Sequence, residues 1–255
     1  MKKIFLLLSL LIFTGTSSTS TASDAHPKKL ILWGIKGVLF YPDMSKVKGG
    51  GFGALLGYTP DYVEKELFGV LQSLYVPAVR SYTRTYPMLI EGWLTGALNN
   101  WQAKQEALKH IKNRCGLFQR MRLKAAAEIA FTPYESAKVL SANPTVISLA
   151  QSCKAKGHTI AICSSWNTEA FNAVKNYYRS VFDQFDTYYI SGNCNILACE
   201  ERFYEKIVEK YGAQNVYLID CLQENLQTAH KKGITTIYCA NLDALQYELK
   251  KHELL

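Results

Sequence analysis

The sequence has 255 residues, of which 48% are hydrophobic, 20% charged and 12% aromatic, with a formal net charge of +8. This composition is that of a globular chain long enough for one domain with a large insertion, or for two small domains. With no internal repeat and no low-complexity tract beyond a Ser/Thr-rich start, it excludes a solenoid, a disordered chain and a small disulfide scaffold.

The chain opens with Lys2 and Lys3, runs apolar from Ile4 to Phe13, and then turns to small residues that include Ala22 and Ala25. Residues 1–23 therefore read as a secretory signal peptide, cleaved between Ala22 and Ala25 so that the mature chain begins near Asp24. The run is too short to span a bilayer as a helix, which takes about twenty residues, so no transmembrane span is expected. An uncleaved N-terminal anchor is the alternative. Export implies the periplasm or the exterior of the cell.

From Lys29 onward short apolar runs alternate with amphipathic ones. The first strand-like run is Leu30 to Phe40. Residues 46–131 then break the rhythm, with a Gly-rich hinge or loop at 48–53 and helical periodicity over 61–75, 88–98, 100–115 and 118–130. The aromatic residues of this stretch (Tyr58, Tyr62, Phe68, Tyr75, Tyr82, Tyr86, Trp93 and Trp101) read as a helical core. A helix over 144–156 leads into four further apolar runs, at 158–164, 186–191, 215–220 and 235–240, separated by helical patterns at 168–178, 201–211 and 224–232. Continuous apolar strands alternating with helices predict an α/β fold: a Rossmann-like parallel sheet of about five strands covered by helices, with an all-helical insertion. The core spans 28–45 and 132–255, and chemistry is expected at the C-terminal ends of its strands.

Without Lys2 and Lys3 the charge falls from +8 to +6, and the remaining cations are spread along the chain, which gives no footprint for nucleic acid. The clusters KVKGG, KHIKNR and QRMRLK could form one basic face meeting anionic lipid or an acidic partner, or simply a solvated helix face. Seven cysteines leave at least one thiol outside any intrachain pair. Cys163, Cys221 and Cys239 fall in or beside apolar runs as small hydrophobes, while Cys194 and Cys199 bracket a loop and are the pair to test for a bridge. No CxxC pair carries zinc spacing.

The segments LILWGIKGVLFYP, IAICSSWN, ERFYEKIVEKYG and YLIDCLQENLQTAHKKGI, with the helical insertion between the first two, resemble the haloacid dehalogenase (HAD-like) superfamily, mostly phosphatases and phosphotransferases, from Lys29 to about Leu249. The resemblance implies a strand ending in a nucleophilic Asp with a second Asp two residues on. Here those positions hold Gly34 and Lys36. It also implies a Ser or Thr on the second strand, matched by Ser164 beside Ser165. The expected Lys before the helix 201–211 falls on Ala198, with Arg202 the nearest cation, and of the usual acidic pair after the next strand only Asp220 remains, followed by Cys221.

A carboxylate is needed at the first position because it attacks phosphorus and holds Mg²⁺, and Gly supplies neither function. No acidic residue lies between Lys28 and Pro42 to restore one by a shift of register. With Asp220 alone, a family-type magnesium site is not expected, and Lys36 is expected to occupy the metal region and pair with Asp220. These residues point to a pseudoenzyme that binds a ligand or a protein. The residual pocket would comprise Lys36, Gly37, Ser164, Ser165, Asp220 and Cys221, and an anionic or phosphorylated ligand could sit on Ser164, Lys36 and the amides after Gly37. Alternatively, Ser164 only caps the following helix. A partner protein could dock on the helical cap. The competing reading is a phosphatase-like HAD hydrolase with relocated residues, for example Cys163 or Cys221 as nucleophile. The dehalogenase reaction, suggested by Trp166, also begins at the first Asp.

Overall fold

The computed structural model describes residues 28–46, 58–77, 79 and 86–255. The leader, the Gly-rich stretch 48–53 and Tyr82 lie outside the described residues. In chain order the elements are β1 (Leu30–Trp33), β2 (Phe40–Pro42), α1 (Pro60–Leu71), α2 (Met88–Leu94), α3 (Asn100–Arg114), α4 (Leu117–Ala130), α5 (Pro133–Lys138), β3 (Leu140–Ala142), α6 (Pro144–Ala155), β4 (Thr159–Ser164), α7 (Thr168–Tyr177), α8 (Arg179–Phe182), β5 (Thr187–Ile190), α9 (Ser191–Cys194), α10 (Glu201–Tyr211), β6 (Val216–Asp220), α11 (Gln223–Lys231), β7 (Thr235–Tyr238) and α12 (Leu242–Lys251).

Five strands form one parallel sheet in the order β5-β4-β1-β6-β7. The unbroken apolar runs follow from burial on both faces. Along the central strand Ile31 and Trp33 point into one apolar cluster, with Ile160, Ile162, Tyr217 and Ile219, while Leu30 and Leu32 point into the other, with Ala161, Cys163, Val216 and Leu218. A one-residue slip of β1 would exchange these two sets.

The first predicted strand is two elements rather than one. After Trp33 the backbone turns, and only Phe40–Pro42 resumes as β2, pairing antiparallel with β3 rather than joining the main sheet. The reason is local: the N–H of Gly37 donates to the Phe40 carbonyl at 2.7 Å and that of Phe40 to Ile35 at 2.9 Å, closing a tight turn. Gly37 sits at φ +77°, and a Cβ there would come within 2.5 Å of Cys221 Sγ, so a side chain is excluded twice over.

The β2/β3 ribbon joins the two strands of chain that enter and leave the helical insertion. Asp43 N–H donates to Val139 O at 2.7 Å, and Ser141 Oγ donates to the Asp43 carboxylate at 2.8 Å. α1–α4 pack around a third apolar cluster that includes Val63, Leu67, Leu71, Trp93, Ala107, Ile111 and Leu123. Helix starts carry side-chain caps where the sequence offers them, among them Thr59, Asn143 and Asn241, and Asn99 forms a full capping box with Gln102. The aromatic residues of the insertion divide: Trp93 is buried in this cluster, whereas Tyr75 and Trp101 are exposed. Tyr58 and Tyr62 stack on one another and against Arg122 instead of entering the core. Arg122 in turn makes a two-pronged ion pair with Glu66, at 2.7 Å and 2.5 Å, which fastens α4 to α1. That guanidinium holds the Glu66 carboxyl below the usual range.

Candidate functional site

Strand register sets the site. Trp33 stands opposite Ile162 and Ile219, so Gly34 falls level with Cys163 on one side and Asp220 on the other. Gly34 N–H donates to Ile219 O at 2.9 Å, and a Cβ on Gly34 would lie 3.3 Å from both Cγ and Oδ1 of Asp220. The residues picked out at positions 34, 164 and 220 thus meet at the C-terminal ends of the three middle strands.

Asp220 is buried, and its carboxylate is engaged by its own surroundings. Oδ1 accepts from the N–H groups of Cys221 at 2.7 Å and Leu222 at 3.0 Å, and Oδ2 accepts from Asn225 Nδ2 at 2.8 Å. Burial raises its pKa, against the opposing pull of these three donors.

Lys36 does not pair with Asp220. The turn that follows β1 carries it outward, and its Nζ pairs with the Glu64 carboxylate of α1, with about half of the lysine side chain exposed. The amides after Gly37 do not form an anion nest either: those of Gly37, Val38 and Phe40 are spent within the turn. Ser164 is not the cap of α7; Asn167 is, accepting from the N–H groups of Glu169 and Ala170. The Oγ of Ser165 accepts from Ala198 N–H at 2.9 Å. Ala198 itself is fully buried in the cluster that holds Cys163 and Tyr204, and Arg202 pairs with Glu200.

The thiols are poorly suited to nucleophilic work. Burial pushes Cys163 well above the ordinary thiol range and Cys221 up to about 11, while the Sγ of Cys221 lies 3.2 Å from Lys36 O. Cys221 and Cys239 are only partly buried, and no bridge joins Cys194 to Cys199: the Cys194 thiol faces the carbonyls of Ile190, Ser191 and Ile196 instead.

Above the strand ends lies a cavity of about 480 Å³ between the sheet and the insertion, partly open to solvent. Its floor is Gly34, Ser164, Ser165, Asp220 and Asn225. Val63, Leu67 and Phe68 of α1, Ile90, Trp93 and Leu94 of α2, and Ala126, Ile129 and Ala130 of α4 supply the roof, and Trp166 and Leu140 close the sides. Lys36, Glu64 and Glu224 also reach the lining. The chamber is largely apolar, with polar groups at its floor, at this charged margin and at Tyr86 and Ser136.

Comparison with solved structures places this arrangement. The fold is haloacid dehalogenase-like. A HAD family enzyme from Bacteroides thetaiotaomicron aligns at 16% identity and TM-score 0.52 over 83% of this chain and 93% of that one. A predicted HAD-like family hydrolase from Porphyromonas gingivalis aligns at 13% identity and TM-score 0.55 over 88% and 98%. L-2-haloacid dehalogenase from Xanthobacter autotrophicus, with chloropropionic acid covalently bound, aligns at 14% identity and TM-score 0.52 over 89% and 84%. No family model and no curated protein sequence matches the chain. The Rossmann-like sheet with helices is therefore as predicted from the sequence, and among the described residues no helix is long and apolar enough to cross a membrane.

The HAD-like strand ends can be tested for a divalent cation. Among the described residues no group of three or more His, Cys, Asp and Glu side chains could hold a metal ion. Gly34 brings no ligand, both Asp220 oxygens accept hydrogen bonds, and Glu64 is neutralised by Lys36. This donor set does not fit magnesium, which takes several hard oxygen ligands in an octahedron. Sequence reasoning missed Asn225, Glu64 and the apolar roof. Asn225 was within reach of a local signal, since it follows Asp220 by five residues at the first turn of α11; Glu64 approaches only through the packing of α1 over the strand ends.

Proposed function

We propose that this chain is a non-catalytic HAD-fold protein that binds a largely apolar small molecule in the chamber between sheet and insertion. The observation that carries the reading is Gly34: the strand end facing Asp220 offers no carboxylate to attack phosphorus or to complete a metal site. The magnesium and inorganic phosphate held by the Bacteroides enzyme in one of its complexes belong to a site chemistry that this donor set does not reproduce. With Lys36 held by Glu64 and two more acidic side chains at the lining, the chamber presents no surplus of positive charge for a phosphorylated ligand. An apolar body with a hydrogen-bonding head directed at Ser164, Asn225 and Asp220 matches the lining. The leader supports export, so the ligand would be met outside the cytoplasm.

The test is phosphate release from p-nitrophenyl phosphate with Mg²⁺ by the natural chain, beside its Asp220→Asn variant. The expected result is no turnover by either. Activity that survives repurification and is lost on Asp220→Asn would overturn the reading. Binding is followed with Nile red: saturable fluorescence enhancement in the natural chain, weakened at least fivefold by Leu67→Gln, is expected.

A further inference from the structure

The insertion carries a surface that the chamber does not use. At the turn from α3 into α4, Leu117, Phe118 and Met121 are 66%, 81% and 53% exposed. None of them lines the cavity, which α4 meets through Ala126, Ile129 and Ala130 further along the helix. Large apolar side chains this exposed within one helical turn are rare on a surface that meets only water.

Their surroundings are cationic. From Ala107 to Lys124 there is no Asp or Glu, but there are Lys109, Lys112, Arg114, Arg120, Arg122 and Lys124. Two of the six are committed inward: Arg122 to Glu66, and Arg120 to the Cys115 carbonyl at 3.0 Å. Lys109, Lys112, Arg114 and Lys124 remain exposed, and none pairs with an acid among the described residues. The result is three exposed apolar side chains at the start of α4 and four exposed cations on the two helices that meet there.

We propose that the α3–α4 turn docks on an anionic lipid bilayer, with Leu117, Phe118 and Met121 entering the interface and Lys109, Lys112, Arg114 and Lys124 on the headgroups. Two features favour lipid over an acidic protein. The apolar residues project from a turn at the end of a helix pair, a shape that a deformable bilayer admits without a matching pocket. Apolar and cationic groups also occur in the combination that interfacial binding uses, each too weak alone. A cation near an anionic leaflet contributes about fivefold to partitioning, an attraction that salt screens.

The experiment measures binding of the full chain to vesicles of phosphatidylcholine, with and without 30% phosphatidylglycerol. The leader is common to every variant, so differences between variants decide. Leu117→Ser with Phe118→Ser, and separately Lys112→Glu with Arg114→Glu, are each expected to weaken binding to the anionic vesicles at least tenfold. Lys231→Glu, exposed on α11, is expected to change it less than twofold. Raising NaCl from 0.1 to 0.5 M is expected to weaken the natural chain and to leave little further loss in the Glu double variant. A Phe118→Trp variant adds a local readout, because lipids brominated on the acyl chains should quench its added emission only in anionic vesicles. Unfolding temperatures within 2 °C of the natural chain identify variants that remain folded. Equal anionic-vesicle binding by natural chain and both double variants, or no quenching of the substituted indole, would overturn the proposal; retention of an acidic protein by the same surface without vesicle binding would do so too.

Discussion

Placing an acid at position 34 tests the register, the burial of Asp220 and the donor set in one step. Gly34→Asp and Gly34→Asn add side chains of the same size, and both meet the same crowding, since the first carbon lies 3.3 Å from the Asp220 carboxyl and from Ile219 O. They differ in charge. Two unit charges about 5 Å apart at an effective dielectric of about 20 repel by about 3 kcal/mol. For a chain of this size that is roughly 6–12 °C in melting temperature. At pH 7 without metal, Gly34→Asp should melt that far below Gly34→Asn. The gap should narrow as pH falls and one of the two carboxyls takes up a proton, and it should narrow with millimolar Mg²⁺ if the added acid restores a cation site. Differential scanning calorimetry of both variants, with and without MgCl₂, reads all three. Melting of the two within 1 °C at pH 7 in EDTA would refute the placement of Gly34 against Asp220.

Further outcomes follow from the same geometry. Asp220→Ala strands two backbone N–H groups and Asn225, and should cost about 2–4 kcal/mol by denaturant unfolding; Asp220→Asn keeps an acceptor and should cost under about 1 kcal/mol. Because burial raises the folded pKa of Asp220 above its unfolded value, the folded state binds the extra proton. The natural chain should therefore gain stability relative to Asp220→Asn as pH is lowered from 7 towards the unfolded carboxyl pKa of 3.8. Lys36→Ala breaks only a half-exposed pair with Glu64 and should shift stability by under about 1 kcal/mol, whereas a buried Lys36–Asp220 pair would cost about 3–5 kcal/mol. Arg122→Ala leaves Glu66 without its guanidinium and should cost about 2–3 kcal/mol. Since Glu66 is held below its ordinary pKa, the stability lent by that pair is present above about pH 4.5 and lost as pH falls through the folded value, which unfolding curves of natural chain and variant should show converging in acid.

The sheet was legible because burial on both faces writes each strand as an unbroken apolar run, and four of its five strands were expected within two residues of their ends. The fifth was overextended: Leu30 to Phe40 reads as one apolar stretch, and only the hydrogen bonds inside the Gly37 turn show that the chain leaves the sheet at Gly34. The four helices of the insertion were legible from periodicity, whereas β3 and α5 are three and six residues long and too short to print a period. At the site, positions 34, 164 and 220 were picked out through the resemblance, and strand register does bring them together. Side-chain direction was not legible. Lys36 was expected on Asp220 because the resemblance sets both at the metal region, yet the turn rotates it towards α1, whose approach depends on packing across the whole insertion. The exposed aromatic residues were misread for a related reason: periodicity finds a helix but does not say which of its faces meets another.

Asn167 fixes more than the start of α7. While its Oδ1 caps that helix, its Nδ2 donates to the Trp93 carbonyl at 2.9 Å; Trp93 Nε1 bonds to Asn100 Oδ1 at 2.6 Å, and Asn100 pairs with Glu169. These bonds tie α2 and α3 of the insertion to α7 of the core, and the β2/β3 ribbon supplies a second attachment. A change at Asn167 would therefore loosen at once the start of a core helix and the helices that roof the cavity.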